Sequence, residues 1–281
     1  MKKIIIKDKQ KNIILCCVSI FIACIMLFPI YWIIVSSFKT NAEIFASPPT
    51  FIPKGFTLSS YTAQFVGKSS LLVTLANSCK VAFPSMILSC VLAIPAAYGL
   101  ARFRMRGNKA FIMIFLVTQM LPVALLLTPM FLVYKNLSLL DTLWAPILSD
   151  ATISVPFVVL ILRTYFLALP KELEDSAKID GCNTFTAFTR IMLPISYPGL
   201  IMTGAFSFLY AWGDLAYALT FLTSPEKRTM TASIYNFMGK YGIQWNAIMA
   251  YGVLLVLPVV LIFIFLQKYI IGGLTNGAVK G

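Results

Sequence analysis

Apolar residues in this chain come in long runs, not in the alternation of a half-buried strand or the stripe of a surface helix. A hydrocarbon core of about 30 Å is crossed by roughly 20 helical residues rising about 1.5 Å each. Six stretches reach that length: Ile13–Ser36, Leu71–Ala101, Ala110–Tyr134, Ala145–Leu167, Tyr197–Leu222 and Ile248–Tyr269. The pattern predicts an all-α integral membrane protein with six transmembrane helices. Residues 1–12 form a polar N-terminal segment, 13–36 the first span and 37–70 a long loop. Residues 71–270 carry five spans with a polar loop at 168–196, and 271–281 form a tail. The lysine-rich start resembles a signal peptide, but its apolar run exceeds the usual 7–15 or so residues and no small-residue cleavage site follows. A retained first span is expected.

Prolines at 29, 84, 95, 122, 129, 146, 156 and 258 fall within these runs. Such breaks survive in a membrane where neighbouring helices or a water-filled cavity satisfy the freed carbonyls. Kinked spans around a central pathway suit a transporter better than a rigid anchor.

Composition agrees. Of 281 residues, 59% are hydrophobic and 12% charged, against roughly 45–50% and about 25% in soluble domains. That leaves too little polar surface for a water-facing globule and disfavours a soluble enzyme, a disordered chain or a nucleic-acid binder. The net charge of +13 reads as topology. With the N-terminus inside, the inner segments hold 14 of the 23 basic residues and the outer ones 7. Both termini are therefore expected in the cytoplasm. Lys80 and Arg163 remain inside runs, near span ends where a long stem can snorkel; lining a solute path is the alternative.

The chain has no histidine, so imidazole bases, Ser-His-Asp triads and His-rich zinc sites are excluded. The six cysteines show no Cys-x-x-Cys or metal spacing and read as small apolar fillers. Gly67-Lys68-Ser69 looks like the end of a phosphate-binding loop, but Thr62 stands where its first glycine belongs. Any ATP must be bound by another chain.

The polar loop at 168–196 is the most informative segment. Pro170 suits the first turn of a helix, and Glu172, Glu174 and Asp175 oppose the positive end of its dipole. Gly181 can end it in the left-handed conformation. Asn183 can cap a second short helix carrying Phe185 and Phe188 on one face, with Arg190 near its end. Pro194 opposes simple continuation into the next span. The result is a helix–turn–helix elbow bearing four of the ten acids, Glu172, Glu174, Asp175 and Asp180. It can be an ordinary amphipathic surface loop or a rigid contact that transmits force to a partner.

Asp175-Ser176-Ala177, Gly181 and Ile191-Met192-Leu193-Pro194 resemble the coupling-loop signature of binding-protein-dependent ABC importer permeases, Glu-Ala-Ala, three residues, Gly, nine residues, Ile-x-Leu-Pro. Asp for Glu and Ser for the first Ala are mild departures. Thr118-Gln119-Met120-Leu121-Pro122, Leu162-Arg163-Thr164-Tyr165-Phe166 and the tail from Gly273 to Gly281 resemble the sugar-importer branch, the tail being similar to that of the maltose-type second permease. Trp212-Gly213-Asp214 matches its Trp-Asn-Asp signature except at the glycine.

The resemblance implies a type I ABC importer permease fold with a cytoplasmic coupling helix, in a bacterial plasma membrane. It implies a heterodimer with a second permease, two cytoplasmic ATPase subunits and an extracellular solute-binding protein. ATP and Mg would sit on the ATPases, with no cofactor, metal or catalysis on this chain. Glu174, Asp175, Ser176, Ala177, Gly181, Ile191, Leu193 and Pro194 would form the ATPase-coupling elbow. Thr275, Asn276, Gly277 and Lys280 would form a second ATPase contact.

Sugar recognition pairs an aromatic face with amide or carboxylate partners. Gln119, Tyr210, Trp212, Asp214 and Tyr217 offer these types within spans, although Trp212 can also pack and Asp214 cap or pair structurally. The cargo expected is a carbohydrate, foremost an oligosaccharide. Glycerol-phosphate or another small polar solute is the alternative. An ion-coupled secondary transporter would carry more intramembrane acids or histidines.

Overall fold

A computed structural model describes residues 2–67, 70–239 and 242–278, with side chains over 12–67, 70–239 and 242–267. The chain divides into two compact units, Met1–Phe65 with Ile234–Val256, and Val66–Ser233 with Leu257–Gly281.

In the first unit, α1 (Lys2–Ser37) is one helix despite Pro29; the most apolar 18 residues of its stretch Asn12–Ser37 bury no side chain within the chain, and only Ser36 and Ser37 at its end are buried. A helix apolar all round and bare on every side is solvated by lipid or by another protein. Beyond it, α2 (Asn41–Ile44) and α3 (Ser59–Thr62) frame the proline-rich loop. Glu43 staples that loop, accepting from the backbone N–H groups of Lys54 (2.8 Å) and Gly55 (3.3 Å) and from Thr50 Oγ1 (2.8 Å). The Lys54 bond is the chief reason its carboxyl lies below the ordinary value. Lys39, 1% exposed, places its ammonium 4.6 Å over the Trp32 ring and donates to the Thr50 carbonyl. A short antiparallel hairpin, β1 (Met238–Gly239) and β2 (Gly242–Ile243), leads into α14 (Trp245–Ala278), which continues through Pro258 into the second unit's residues.

The second unit is built on α4 (Leu71–Arg102) and α7 (Trp144–Ala168), packed along Ala93, Ala97, Val158, Val159 and Leu162. Alanines on α4 let the aliphatic side chains of α7 approach closely, the usual way helices associate where no hydrophobic effect drives them together. Between these helices lie α5 (Asn108–Met120) and α6 (Val123–Asn136), bent by 99° at Leu121-Pro122. The sequence predicts one third span; the structure breaks it. Pro122 cannot donate a backbone hydrogen bond and disfavours helical geometry at Leu121, whose ψ of 124° is extended. Pro84, Pro95, Pro129, Pro156 and Pro258 instead sit inside unbroken helices.

The predicted fifth span is also shorter. α11 (Tyr197–Gly213) stops at Gly213, and α12 (Ala216–Phe221) restarts after Asp214 and Leu215. The loop that follows contains α13 (Met230–Ser233) and is tied to α4 by Asn77 Nδ2 donating to the carbonyls of Glu226 (2.8 Å) and Arg228 (3.1 Å). Among the described residues, four helices are long and apolar enough to cross a membrane, or up to six if each bent pair is one span.

Candidate coupling site

The loop between α7 and α11 folds as the predicted elbow. Its first limb, α8 (Glu172–Ile179), begins one residue after Lys171, so Pro170 precedes the helix and does not occupy its first turn. Glu172, Glu174 and Asp175 sit in that first turn, where carboxylates oppose the helix dipole. Gly181 has φ +84°, the left-handed conformation that favours glycine at a helix end. Asn183 accepts the Thr186 N–H at 2.8 Å and caps α9 (Thr184–Ala187). The second limb continues through a π turn, Phe188–Met192, into α10 (Leu193–Ile195), then bends by 78° into α11. The break lies at Ser196, after Pro194.

The π turn divides the two phenylalanines that the sequence places on one face. Phe188 turns inward against Tyr98 of α4, ring centroids 4.6 Å apart. Phe185 turns outward and is 73% exposed. Ile179, which sequence reasoning passed over, is 86% exposed on the other limb. A large apolar side chain this bare on a polar loop marks a contact surface, particularly beside the exposed acids Glu172, Asp175 and Asp180.

Inward-facing residues fix the elbow to the helix pair. Glu174 meets Arg102, at the end of α4, with Oε1 and Nε 2.6 Å apart and the side chains 12% and 4% exposed. The same guanidinium donates to the Leu169 carbonyl at 3.0 Å, closing the end of α7. Ala177 is buried, Met192 is fully buried in the α4–α7 core, and Ile191 and Leu193 are half-buried. The eight residues of the coupling signature thus fall into two groups. Glu174, Ala177, Ile191 and Leu193 face the base; Asp175, Ser176, Gly181 and Pro194 are exposed. The arrangement is a rigid bracket presenting apolar and acidic groups outward.

Residues 85–275 match the family model described as binding-protein-dependent transport system inner membrane component. The chain belongs to that family. This permease is 33% identical over 256 residues to the diacetylchitobiose uptake system permease protein DasC of Streptomyces coelicolor, covering 91% of this chain and 92% of that one. It is 33% identical over 263 residues to the arabinooligosaccharides transport system permease protein AraQ of Halalkalibacterium halodurans, covering 93% and 94%. Among solved structures, a chain of a bacterial ABC transporter involved in the import of the acidic polysaccharide alginate superposes with TM-score 0.77 at 21% identity, over 94% of this chain and 97% of that one. The fold is therefore that of a type I ABC importer permease.

The permease spreads its sequence-predicted pathway residues over different environments. Trp212 is buried and stacked on Phe208, centroids 5.7 Å apart. Tyr217 is fully buried against Phe221. Asp214 accepts from the N–H groups of Tyr217 (3.2 Å) and Ala218 (2.8 Å), so it caps α12 as it ends α11. A Cβ at Gly213 meets nothing within 4 Å, leaving open the space where the family motif has asparagine. Gln119 is exposed and donates to the Ile153 carbonyl at 3.0 Å. Tyr210, Asp214 and Tyr217 are brought within electrostatic range of Asp150. That acid was missed in the sequence because it lies at the polar start of a span; it is wholly buried and neither oxygen has a hydrogen-bond partner among the described residues. Of the predicted tail contact, Thr275, Asn276 and Gly277 lie in the last turn of α14 without described side chains, and Lys280 lies outside the described residues.

Proposed function

We propose that this permease imports a carbohydrate, foremost an oligosaccharide, as one half of an ATP-driven translocation pathway. A second permease supplies the other half, two ATPase subunits lie on the cytoplasmic face, and an external binding protein delivers the sugar. Both termini and the elbow face the cytoplasm of a bacterial cell, as the basic-residue asymmetry supports. The observation that carries this reading is the bracketed elbow. Ile179 and Phe185 project from two limbs whose bases are locked to α4 and α7. A partner that moves the exposed tip moves the bracket as one body and, with it, the span pair beneath.

ATP binding and hydrolysis, with Mg, belong to the ATPases; this chain contributes path and lever. The similarity to permeases named for diacetylchitobiose and arabinooligosaccharides supports a carbohydrate over glycerol-phosphate. Gly273–Gly281 would supply the second ATPase contact. Asp150, an unpartnered acid in a span, is the observation that favours ion coupling instead. Uptake by proteoliposomes holding the full assembly separates the two. Uptake that needs internal ATP and the binding protein, and persists after the ion gradients are collapsed, supports the proposal; uptake abolished by collapsing the gradients contradicts it.

A further inference from the structure

The first unit carries its own ruler for membrane depth. Lys7, Lys9 and Lys11 lie just before the apolar stretch of α1, so the hydrocarbon begins near Asn12. About 20 positions further, roughly 30 Å at about 1.5 Å each, the same helix reaches Tyr31 and Trp32. Tyrosine and tryptophan settle where hydrocarbon meets headgroups. This pair marks the far boundary of the bilayer, and any tilt of α1 only takes it deeper.

The proline-rich loop of the same unit folds back onto that mark. The Phe51 ring meets Trp32 edge-on, centroids 5.9 Å apart, and the Phe51 carbonyl accepts the Tyr31 hydroxyl at 2.7 Å. Phe51 is 58% exposed and Ile52 75% exposed. Two adjoining large apolar side chains therefore stand bare at the level of the boundary.

Two features fit this tip to lipid. Irregular backbone at such a depth has to find its hydrogen bonds within the chain. Here the Thr50 carbonyl accepts Lys39 Nζ, the Phe51 carbonyl accepts Tyr31 Oη, and Glu43 accepts the N–H groups of Lys54 and Gly55. Pro53 has no N–H to satisfy. The tip is also followed by exposed Lys54, whose long stem lets an ammonium reach headgroup phosphates while the apolar pair stays below them. We propose that Phe51 and Ile52 form an anchor that enters the phospholipid leaflet on the far side from the N-terminus and fixes the end of α1 at the membrane surface. The anchor requires only that α1 cross the bilayer and is independent of the cargo.

Phe56 supplies an internal reference in the same loop. It is 66% exposed, comparable with Phe51, but stacks on Phe38, centroids 4.9 Å apart. Phe38 lies about six positions beyond Trp32, roughly 9 Å further from the hydrocarbon. The test uses the unaltered transporter, assembled without its binding protein in nanodiscs of phosphatidylethanolamine and phosphatidylglycerol. Hydroxyl radicals generated in the water should oxidise Phe51 at least about threefold more slowly than Phe56. In nanodiscs doped with a phospholipid bearing a diazirine on its acyl chain, irradiation should label Phe51 or Ile52 and leave Phe56 unlabelled. Equal oxidation of the two phenylalanines would overturn the anchor. Slow oxidation of Phe51 without lipid label on either tip residue would overturn it too, and would show that another protein surface covers the tip.

Discussion

The Arg102–Glu174 pair sets the strength of the bracket, and its removal has a calculable cost. At 2.6 Å, with side chains only 4% and 12% exposed, the gross attraction at an effective dielectric near 20 is about 6 kcal/mol. Desolvation offsets much of it, but removing one partner alone strands the other charge, at a cost of about 3–5 kcal/mol. Arg102→Ala also releases the Leu169 carbonyl, so it is expected to cost more than Glu174→Ala. The exposed pair Lys178–Asp175, 3.8 Å apart with side chains 54% and 70% exposed, is the control; Asp175→Ala should cost below about 0.5 kcal/mol. Denaturant unfolding in mixed micelles, run as a double-mutant cycle on Arg102 and Glu174, measures the coupling directly. The loss should be accompanied by raised amide exchange over residues 172–192 and by weaker coupling of ATP turnover to uptake. Single-variant costs similar to the Asp175 control, with no interaction between the two changes, would refute the bracket.

Gly181→Val places a β-branched residue at φ +84° where its Cβ meets nothing within 4 Å. Backbone strain of about 1–2 kcal/mol, not crowding, should leave membrane insertion intact while uncoupling ATP hydrolysis from uptake; normal substrate-stimulated ATPase activity and uptake would remove Gly181 from the lever. Asp141 clasps the loop after α12, accepting from Ser224 N–H (2.9 Å), Ser224 Oγ (2.6 Å) and Lys227 Nζ (3.0 Å). Burial pushes its carboxyl up, but the Ser224 bonds and the Lys227 ammonium outweigh that and hold it well below the usual carboxylate range. A depressed folded pKa gives stability that is present above the unfolded value of about 3.9 and lost only as pH falls through the folded one. Protection of residues 222–228 should therefore persist from pH near 7 to about 4, and Asp141→Ala should lose it throughout; loosening between those limits in the unaltered protein contradicts this. Asp150→Leu removes a buried acid without a hydrogen-bond partner and should raise stability by about 1–3 kcal/mol; a lowered thermal midpoint would show that Asp150 has a partner in the assembly.

Apolar run length alone locates the membrane-crossing material, because lipid demands it of every span. It does not determine continuity. Pro122 breaks a helix while Pro84, Pro95 and Pro156 do not, since whether a freed carbonyl finds compensation depends on neighbours remote in sequence. The elbow was legible as far as its local chemistry reaches: first-turn acids, left-handed Gly181 and the Asn183 cap are all short-range signals. Its orientation was not. The π turn at Phe188–Met192 shifts the helical phase and separates Phe188 from Phe185. Arg102 and Glu174 pair across 72 positions, beyond any sequence period. Trp212 and Asp214 carry chemistry that suits either a solute contact or a packed ring and a cap; the ring stacks on Phe208 and the carboxylate caps α12, an arrangement set by contacts that local sequence does not encode.

The exposed elbow residues are expected to touch an ATPase, and a photoreactive side chain tests that contact most directly. With p-benzoylphenylalanine at position 185, irradiation of the assembled transporter should join this chain to the ATPase subunit, with a yield that changes between nucleotide-free and ATP-bound states. Efficient uptake by that assembly with no adduct to the ATPase in either state would contradict it.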